Sequence, residues 1–489
     1  MYGFTLRRPV QGRPEHTVRI CLATAHCKPA FIPLALLYLK ACLVEQKGVP
    51  DEDVIILEFG PDSPDDQIAD QVVAAHADVV AFSCYVWNIG LLMRAAARIK
   101  AQQPSVTIVL GGPEVGPVAA ATLERHAAVD VVVKSEGEVP FCAIAERRAA
   151  GTDLDDVPGI CFRRDGVVVD TGDAPILRDL NQIASPHTER FATRAKKIVC
   201  IETQRGCVFR CSFCFYNKDL SIRNRRFDLE RVKREIAFWL ERDVEELYLM
   251  DPVFNLNAER AKEICRFIAA HNHRRIPVHT EVWAEFIDDE LAALMRDAEF
   301  TYLEVGLQTT DDSVLATVDR RLRLQKFLDG VGYLRKYHIP FEVQLIYGLP
   351  GETRETFRKS LNFAAALDAS LLAVFPLMVL PGTELWRKAA GLNLAYDPEP
   401  PYYVRSHFSM DEADIRYGWD VNEALDRLEP SCTIRFLRRE RGVTYADVVD
   451  EWIASRPDSI ASFLEHFCAK KNIPPEFYRA SASMEAKAS

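Results

Sequence analysis

Short apolar runs rich in Val, Ile and Leu recur along this chain, each followed by a longer amphipathic stretch, and the alternation comes in two separate series. The first holds "VRICLAT", "DVIILEF", "DVVAFSC", "VTIVLGG" and "VDVVVKS", with helical periodicity between them, as over residues 31–46 and 87–102. Runs apolar at every position fit strands covered on both faces. The series therefore predicts a doubly wound, Rossmann-like α/β domain with a parallel sheet over residues 1–150. Such sheets take ligands beyond the carboxyl ends of their strands, here "SCYVWN" (83–88), "GGPEVG" (111–116) and "SEGE" (135–138).

Residues 159–170, "GICFRRDGVVVD", read as a β-hairpin turning at Asp165-Gly166, inside a connector over 151–195. The second series places strands near 197–202, 245–250, 277–283, 301–306, 341–347 and 371–377. Six consecutive β/α units over 196–395 predict a TIM-type barrel left partial at (β/α)6. From "DPEPPYY" (397–403) onward helical patterns dominate, so 396–489 is expected to be a mostly helical C-terminal domain with a frayed tail.

A formal net charge of −11 argues against a nucleic-acid partner, because that affinity rests on clustered Lys and Arg. No unbroken apolar run of about 18 residues would span a membrane, and the first residues lack the apolar core of a signal peptide, so the cytoplasm is the expected location. Thirteen cysteines, an odd number, do not suggest a disulfide framework. Cys21, Cys42, Cys142, Cys161, Cys265 and Cys468 sit among apolar neighbours and are expected to be small core residues.

Three other thiols stand apart. "RGCVFRCSFCFYNKD" places Cys207, Cys211 and Cys214 just after the first strand of the second series, at the end of a barrel where active sites are built. A structural zinc site would want a fourth Cys or His, and the closest histidines in sequence are His187 and His271. A dithiol pair would leave Cys207 unused, and charges among the thiols speak against core packing. A [4Fe–4S] cluster with three protein ligands accommodates all three, and leaves one iron open for catalysis. Flanking Arg205, Arg210, Lys218 and the arginines of 223–226 would hold the thiolates deprotonated and raise the cluster potential, or form a solvated face.

With this C-x3-C-x2-C loop, and Phe213 before its last cysteine, the sequence resembles the radical S-adenosyl-L-methionine (SAM) enzymes. The resemblance implies a cluster that chelates SAM at its open iron and cleaves it reductively to a carbon radical, fed by an electron donor such as flavodoxin or ferredoxin. It also implies SAM contacts at successive strand ends. "YLMDPVFN" would hold the methionine amino group through backbone carbonyls and Asp251, departing from the commoner Gly-Gly-Glu form. Glu281 in "HTEVWAEF" and Glu304 and Gln308 in "LEVGLQT" would orient SAM, while Gly348 and Pro350 in "IYGLPGET" and the segment "FPLMVLPGTEL" would cover adenine.

An α/β domain ahead of such a barrel resembles the cobalamin-binding class of that family, with a C-terminal helical extension. Tyr85, Trp87, Gly112 and Glu114 would then face the corrin. The Asp-x-His-x-x-Gly stretch that supplies a lower axial histidine is absent, and His26 and His126 are expected to be structural. The dinucleotide spacing G-x-G-x-x-G is also absent after the first strand. The resemblance implies an enzyme that moves a methyl group from SAM through methylcobalamin to an unactivated small molecule in a biosynthetic pathway. One alternative is transfer of the 3-amino-3-carboxypropyl group of SAM to a heteroatom such as arsenic, with Cys27, Cys84 or Cys432 binding the soft substrate. Another is a non-enzymatic cluster or corrinoid sensor. Tyr402, Tyr403, His407 and Trp419 are candidates for the substrate pocket.

Overall fold

A computed structural model describes residues 18–192, 196–217, 224–428 and 443–474. The chain divides into two units, Met1–Lys197 and Ile198–Ser489.

The first unit is built on a seven-stranded sheet. Its strands are β1 (Ile20–Ala25), β2 (Val54–Phe59), β3 (Val79–Ser83), β4 (Thr107–Gly111), β5 (Val131–Val133), β6 (Ile160–Arg164) and β7 (Val167–Asp170), in the order β2-β1-β3-β4-β5-β6-β7. The first five are parallel. The expected hairpin forms, turning on Asp165 (φ 50°) and Gly166 (φ 81°). It does not stay in the connector, however: β6 pairs antiparallel with β5, so the sheet is mixed and extends two strands beyond the predicted five. Ile160, Cys161 and Phe162 are buried, which explains why this segment joins the core. The chain reverses direction across the sheet between β1 and β3, and this switch point is where doubly wound sheets open a crevice.

The second unit carries a six-stranded parallel sheet with strands in simple sequence order: β8 (Ile198–Ile201), β9 (Glu246–Leu249), β10 (Val278–Val282), β11 (Phe300–Gln308), β12 (Phe341–Tyr347) and β13 (Leu371–Pro376). Helices follow the strands: α1 (Leu229–Leu240), α2 (Ala258–His271), α3 (Asp289–Asp297), α4 (Asp312–Thr317), α5 (Leu324–Lys336) and α6 (Arg354–Ala366). Alternation along the strands decides the two faces. Leu247, Leu249, Val278, Val282, Leu303, Val305, Val343 and Leu345 are buried on the outer face, while Glu246, Tyr248, His279, Glu281, Tyr302, Glu304, Glu342 and Gln344 share the inner one. This is the partial (β/α)6 barrel that the second series predicts. The C-terminal part is mostly helical as expected, with helices Glu412–Leu428, Tyr445–Ser455 and Ile460–Lys470. The first packs directly on the barrel: a Cβ on Gly418 would stand 1.8 Å from the ring of Tyr347. All six cysteines expected in the core are buried.

Candidate functional site

The three-cysteine loop leaves the carboxyl end of β8, and the barrel grips it from several strands. Asp251, after β9, is completely buried; its Oδ1 accepts from the backbone N–H groups of Thr203 (2.8 Å) and Gln204 (3.1 Å), and its Oδ2 from the Thr203 hydroxyl. Gln204 in turn donates to Val253 O at 2.6 Å and accepts from Asn224 at 2.9 Å. Gly206, at φ 83°, then turns the chain into the thiols. Asp251 thus spends both oxygens on the root of the loop, and burial pushes its carboxyl up to about 7.

Within the loop, Cys214 N–H donates to Cys211 O at 3.0 Å, Ser212 N–H donates to Val318 O at 2.9 Å, and Ser212 O accepts from Leu385 N–H at 2.8 Å. Cys211 is buried; Cys207 and Cys214 are half-buried. Phe209 stacks on Trp283 at 3.8 Å between ring centroids, Arg320 lies 4.2 Å from the same indole, and Arg320 Nη1 stands 3.6 Å from Cys211 Sγ. Burial pushes the Cys207 thiol up and that of Cys214 up to about 12. Arg205 is paired with Glu202 at 2.9 Å, and Arg226 Nε donates to Asn224 at 3.0 Å; Lys218 and Arg223 lie outside the described residues. A metal centre would supply the positive charge that thiolates need.

The donor set fits an iron–sulfur cluster: three thiols on one short loop, its root and middle held by backbone hydrogen bonds, and an arginine N–H directed at one sulfur. Among the described residues, no three Cys, His, Asp or Glu side chains converge as a single metal ion would require.

Deeper in the barrel, the inner face forms one polar network. His279, 9% exposed, stands between Glu246 (Nδ1, 3.2 Å) and Glu304 (Nε2, 2.9 Å), its ring stacked on Tyr248 at 4.2 Å. The other oxygen of Glu304 accepts from Gln344 at 2.7 Å. Glu281 accepts from the Tyr248 hydroxyl at 3.4 Å, and burial followed by the nearby Glu304 charge raises its carboxyl to about 7. Glu281 and Glu304 are paired in register on neighbouring strands, so two carboxyls lie side by side.

Gln308 closes β11 at φ 70°, a left-handed conformation costly for a residue with a Cβ, and its Oε1 has no hydrogen-bond partner among the described residues. Gly348 also lies at positive φ (85°) and donates its N–H to Glu352 at 2.9 Å, while Pro350 is buried. Tyr403 meets Trp419 edge to face at 4.6 Å, and His407 is buried with its Nδ1 accepting from Ser409.

In the first unit, Asn88 is buried at the switch point. Its amide donates to Ala25 O and Ser83 O, both at 3.1 Å, and accepts from Tyr85 N–H at 2.7 Å, joining the ends of β1 and β3. On this brace Tyr85 and Trp87 stack at 4.5 Å, with Trp87 half exposed. Glu114 is buried. Gly112 (φ 110°) has no room for a side chain: a Cβ would lie 2.4 Å from Cys84 O. His26 holds Glu58 at 2.9 Å. Cys84 is fully buried with its thiol directed at Phe82 O (3.6 Å), Cys27 is exposed, and Cys432 lies outside the described residues.

Sequence reasoning passed over Arg320, Trp283 and His279. His279 was open to inference, because it lies two residues before Glu281 and a strand repeats its face every second residue. Nothing in "VDRRLR" singles out Arg320.

Fold and site together define a two-unit α/β protein whose barrel carries a cluster-type cysteine loop at its strand ends. Residues 201–364 match the radical SAM superfamily model, and residues 20–145 match the B12 binding domain. Among curated relatives, the chain is 29% identical over 444 residues to the cobalamin-dependent radical SAM methyltransferase TokK of Streptomyces tokunonensis, covering 82% of this chain and 65% of that protein. It is 28% identical over 425 residues to the 2-(S-pantetheinyl)-carbapenam-3-carboxylate methyltransferase of Streptantibioticus cattleyicolor, covering 78% and 62%. The chain therefore spans slightly less than two thirds of either relative. In fold it is similar to the radical SAM methyltransferase TsrM of Kitasatospora setae, solved with cobalamin and a [4Fe-4S] cluster (TM-score 0.66, 17% identity, 95% of this chain and all of that one). It is also similar to the cobalamin-dependent radical enzyme OxsB (TM-score 0.66, 13% identity, covering 96% and 75%). The chain thus joins a B12-binding domain to a radical SAM domain. Its cofactors are accordingly a [4Fe–4S] cluster, SAM and cobalamin. Among the described residues no helix is long and apolar enough to cross a membrane.

Proposed function

We propose that this protein is an enzyme that transfers a methyl group from SAM, by way of cobalamin, to a small molecule at a position that needs radical activation. The observation that carries this reading is the coexistence in one chain of the Cys207, Cys211 and Cys214 loop at a barrel strand end and a B12-binding domain. When bound, the cluster with SAM supplies a carbon radical, and cobalamin supplies a transferable methyl group.

The chain's own residues bind and orient. Cys207, Cys211 and Cys214 hold the cluster, and Asp251 fixes the backbone from which they hang. Glu304, held by His279 and Gln344, offers an oriented carboxylate to the cationic groups of SAM, and Glu281 beside it can give up its proton when such a cation arrives. The positive φ at Gln308 and Gly348 shapes backbone against the rest of the nucleoside. The Tyr85–Trp87 stack, with Gly112 and Glu114, would face the corrin. The electron comes from a low-potential donor of the flavodoxin or ferredoxin kind.

The test is mass spectrometry of the SAM products from anaerobically reconstituted protein with a strong reductant, with and without cobalamin. 5′-Deoxyadenosine together with cobalamin-dependent S-adenosylhomocysteine is the expected result. 5′-Methylthioadenosine formed equally well without cobalamin would overturn this reading in favour of aminocarboxypropyl transfer.

A further inference from the structure

Arg320 is 9% exposed, and its side-chain hydrogen bonds go to groups without formal charge. Nη1 is directed at Cys211 Sγ (3.6 Å), Nη2 donates to Gly306 O, and the guanidinium lies 4.2 Å from the Trp283 ring. Among the described residues no carboxylate forms an ion pair with it, and its Nε has no hydrogen-bond partner. A buried guanidinium keeps its charge at any accessible pH, so an uncompensated one is costly. Arg320 Nη1 is directed at a cysteine of the cluster loop, which becomes anionic when it ligates iron. Two further features keep the guanidinium at that sulfur. Trp283 contacts both Arg320 and Phe209 of the loop itself, and Val318, two residues before Arg320, accepts the backbone N–H of Ser212.

We propose that Arg320 tunes the iron–sulfur cluster: its charge and its N–H on Cys211 stabilise the reduced state and so set the reduction potential, with Trp283 and Phe209 positioning it. The inference rests on the radical SAM reading. Reduction takes one electron from the donor and adds one negative charge beside the guanidinium, so the attraction is larger after reduction than before. Hydrogen bonds to the sulfurs, net charge and burial are established controls on such potentials.

The experiment compares wild type, R320Q, R320K and W283L after anaerobic reconstitution, using iron and sulfide content, a potentiometric titration followed by electron paramagnetic resonance of the reduced cluster, and SAM affinity by equilibrium dialysis. R320Q is expected to shift the midpoint to more negative potential, so that the reduced-to-oxidised ratio at one fixed low potential falls about tenfold. R320K, which keeps the charge but loses the planar fork, should shift part of the way, as should W283L. Iron-loaded R320Q with an unchanged midpoint overturns the proposal, as does a loss of SAM affinity at an unchanged midpoint, which would assign Arg320 to the SAM carboxylate. Should R320Q hold no iron, R320K decides, and an unchanged midpoint there overturns the proposal. Wild-type protein that takes up no iron overturns the cluster reading, and this inference with it.

Discussion

His279 Nε2 lies 2.9 Å from Glu304 Oε1, and its other ring nitrogen lies 3.2 Å from Glu246. A neutral imidazole can donate from only one nitrogen, so two carboxylates at two nitrogens call for the doubly protonated ring. Burial works against that charge as the largest single effect, yet the hydrogen bonds to Glu246 and Glu304 outweigh it and lift the pKa from 6.5 to about 8. The stabilisation is thus fully present below pH 6.5 and is lost as pH rises through about 8. It amounts to roughly 1–2 kcal/mol. Urea unfolding of the wild type should show a falling midpoint between pH 6.5 and 9, and H279N should start lower and show no such fall. An equal slope in both proteins would assign the effect to other groups.

Asp251→Ala should destabilise the second unit by about 2–3 kcal/mol, because it strands the buried N–H groups of Thr203 and Gln204. The same change loosens the root of the cysteine loop. Iron retention after reconstitution should therefore drop in D251A more than in a surface control of equal stability.

Gly112→Ala puts a methyl group 2.4 Å from Cys84 O at a φ of 110° that alanine avoids. Backbone must move, at a cost of about 2–4 kcal/mol. Cobalamin binding, read by the visible spectrum of the bound corrinoid, should weaken in G112A if this loop faces the corrin; binding at wild-type strength would remove Gly112 from that site.

Glu352 is fully buried, and burial raises its carboxyl well above the ordinary range. Glu352→Gln puts there an uncharged amide, which burial disfavours less than a carboxylate and which can still accept from Gly348 N–H. Thermal unfolding near pH 7 should leave E352Q no less stable than wild type. E352A, which leaves that N–H unpaired, should lose about 2 kcal/mol.

Gly418→Ala would place a methyl group 1.8 Å from a ring carbon of Tyr347, where the C-terminal helix meets β12. Both partners are held: Tyr347 also donates its hydroxyl to Asp414 O. G418A should lose about 2–4 kcal/mol in urea unfolding, whereas G391A, with open space at its Cβ position, should lose far less.

Local chemistry made much of this protein legible before folding. Continuous Val/Ile/Leu runs announced strands covered on both faces, and the three cysteines carried their spacing within one loop, so neither needed a distant partner to be recognised. Which side chains meet was another matter. The hairpin over Ile160–Asp170 could be read from Asp165-Gly166, but not its pairing with β5, because register is set by the sheet it joins. Asp251 lies next to the loop root, and Arg320 lies 109 residues from Cys211, only because six parallel strands bring their carboxyl ends together. His279 shares a face with Glu281 by a rule visible in the chain, yet its charge follows from Glu246 and Glu304 arriving on two neighbouring strands. The chain therefore declares its elements and its cysteine loop through short-range pattern, whereas the potential around that loop and the protonation of the barrel interior depend on long-range contacts that exist only once the sheets have formed.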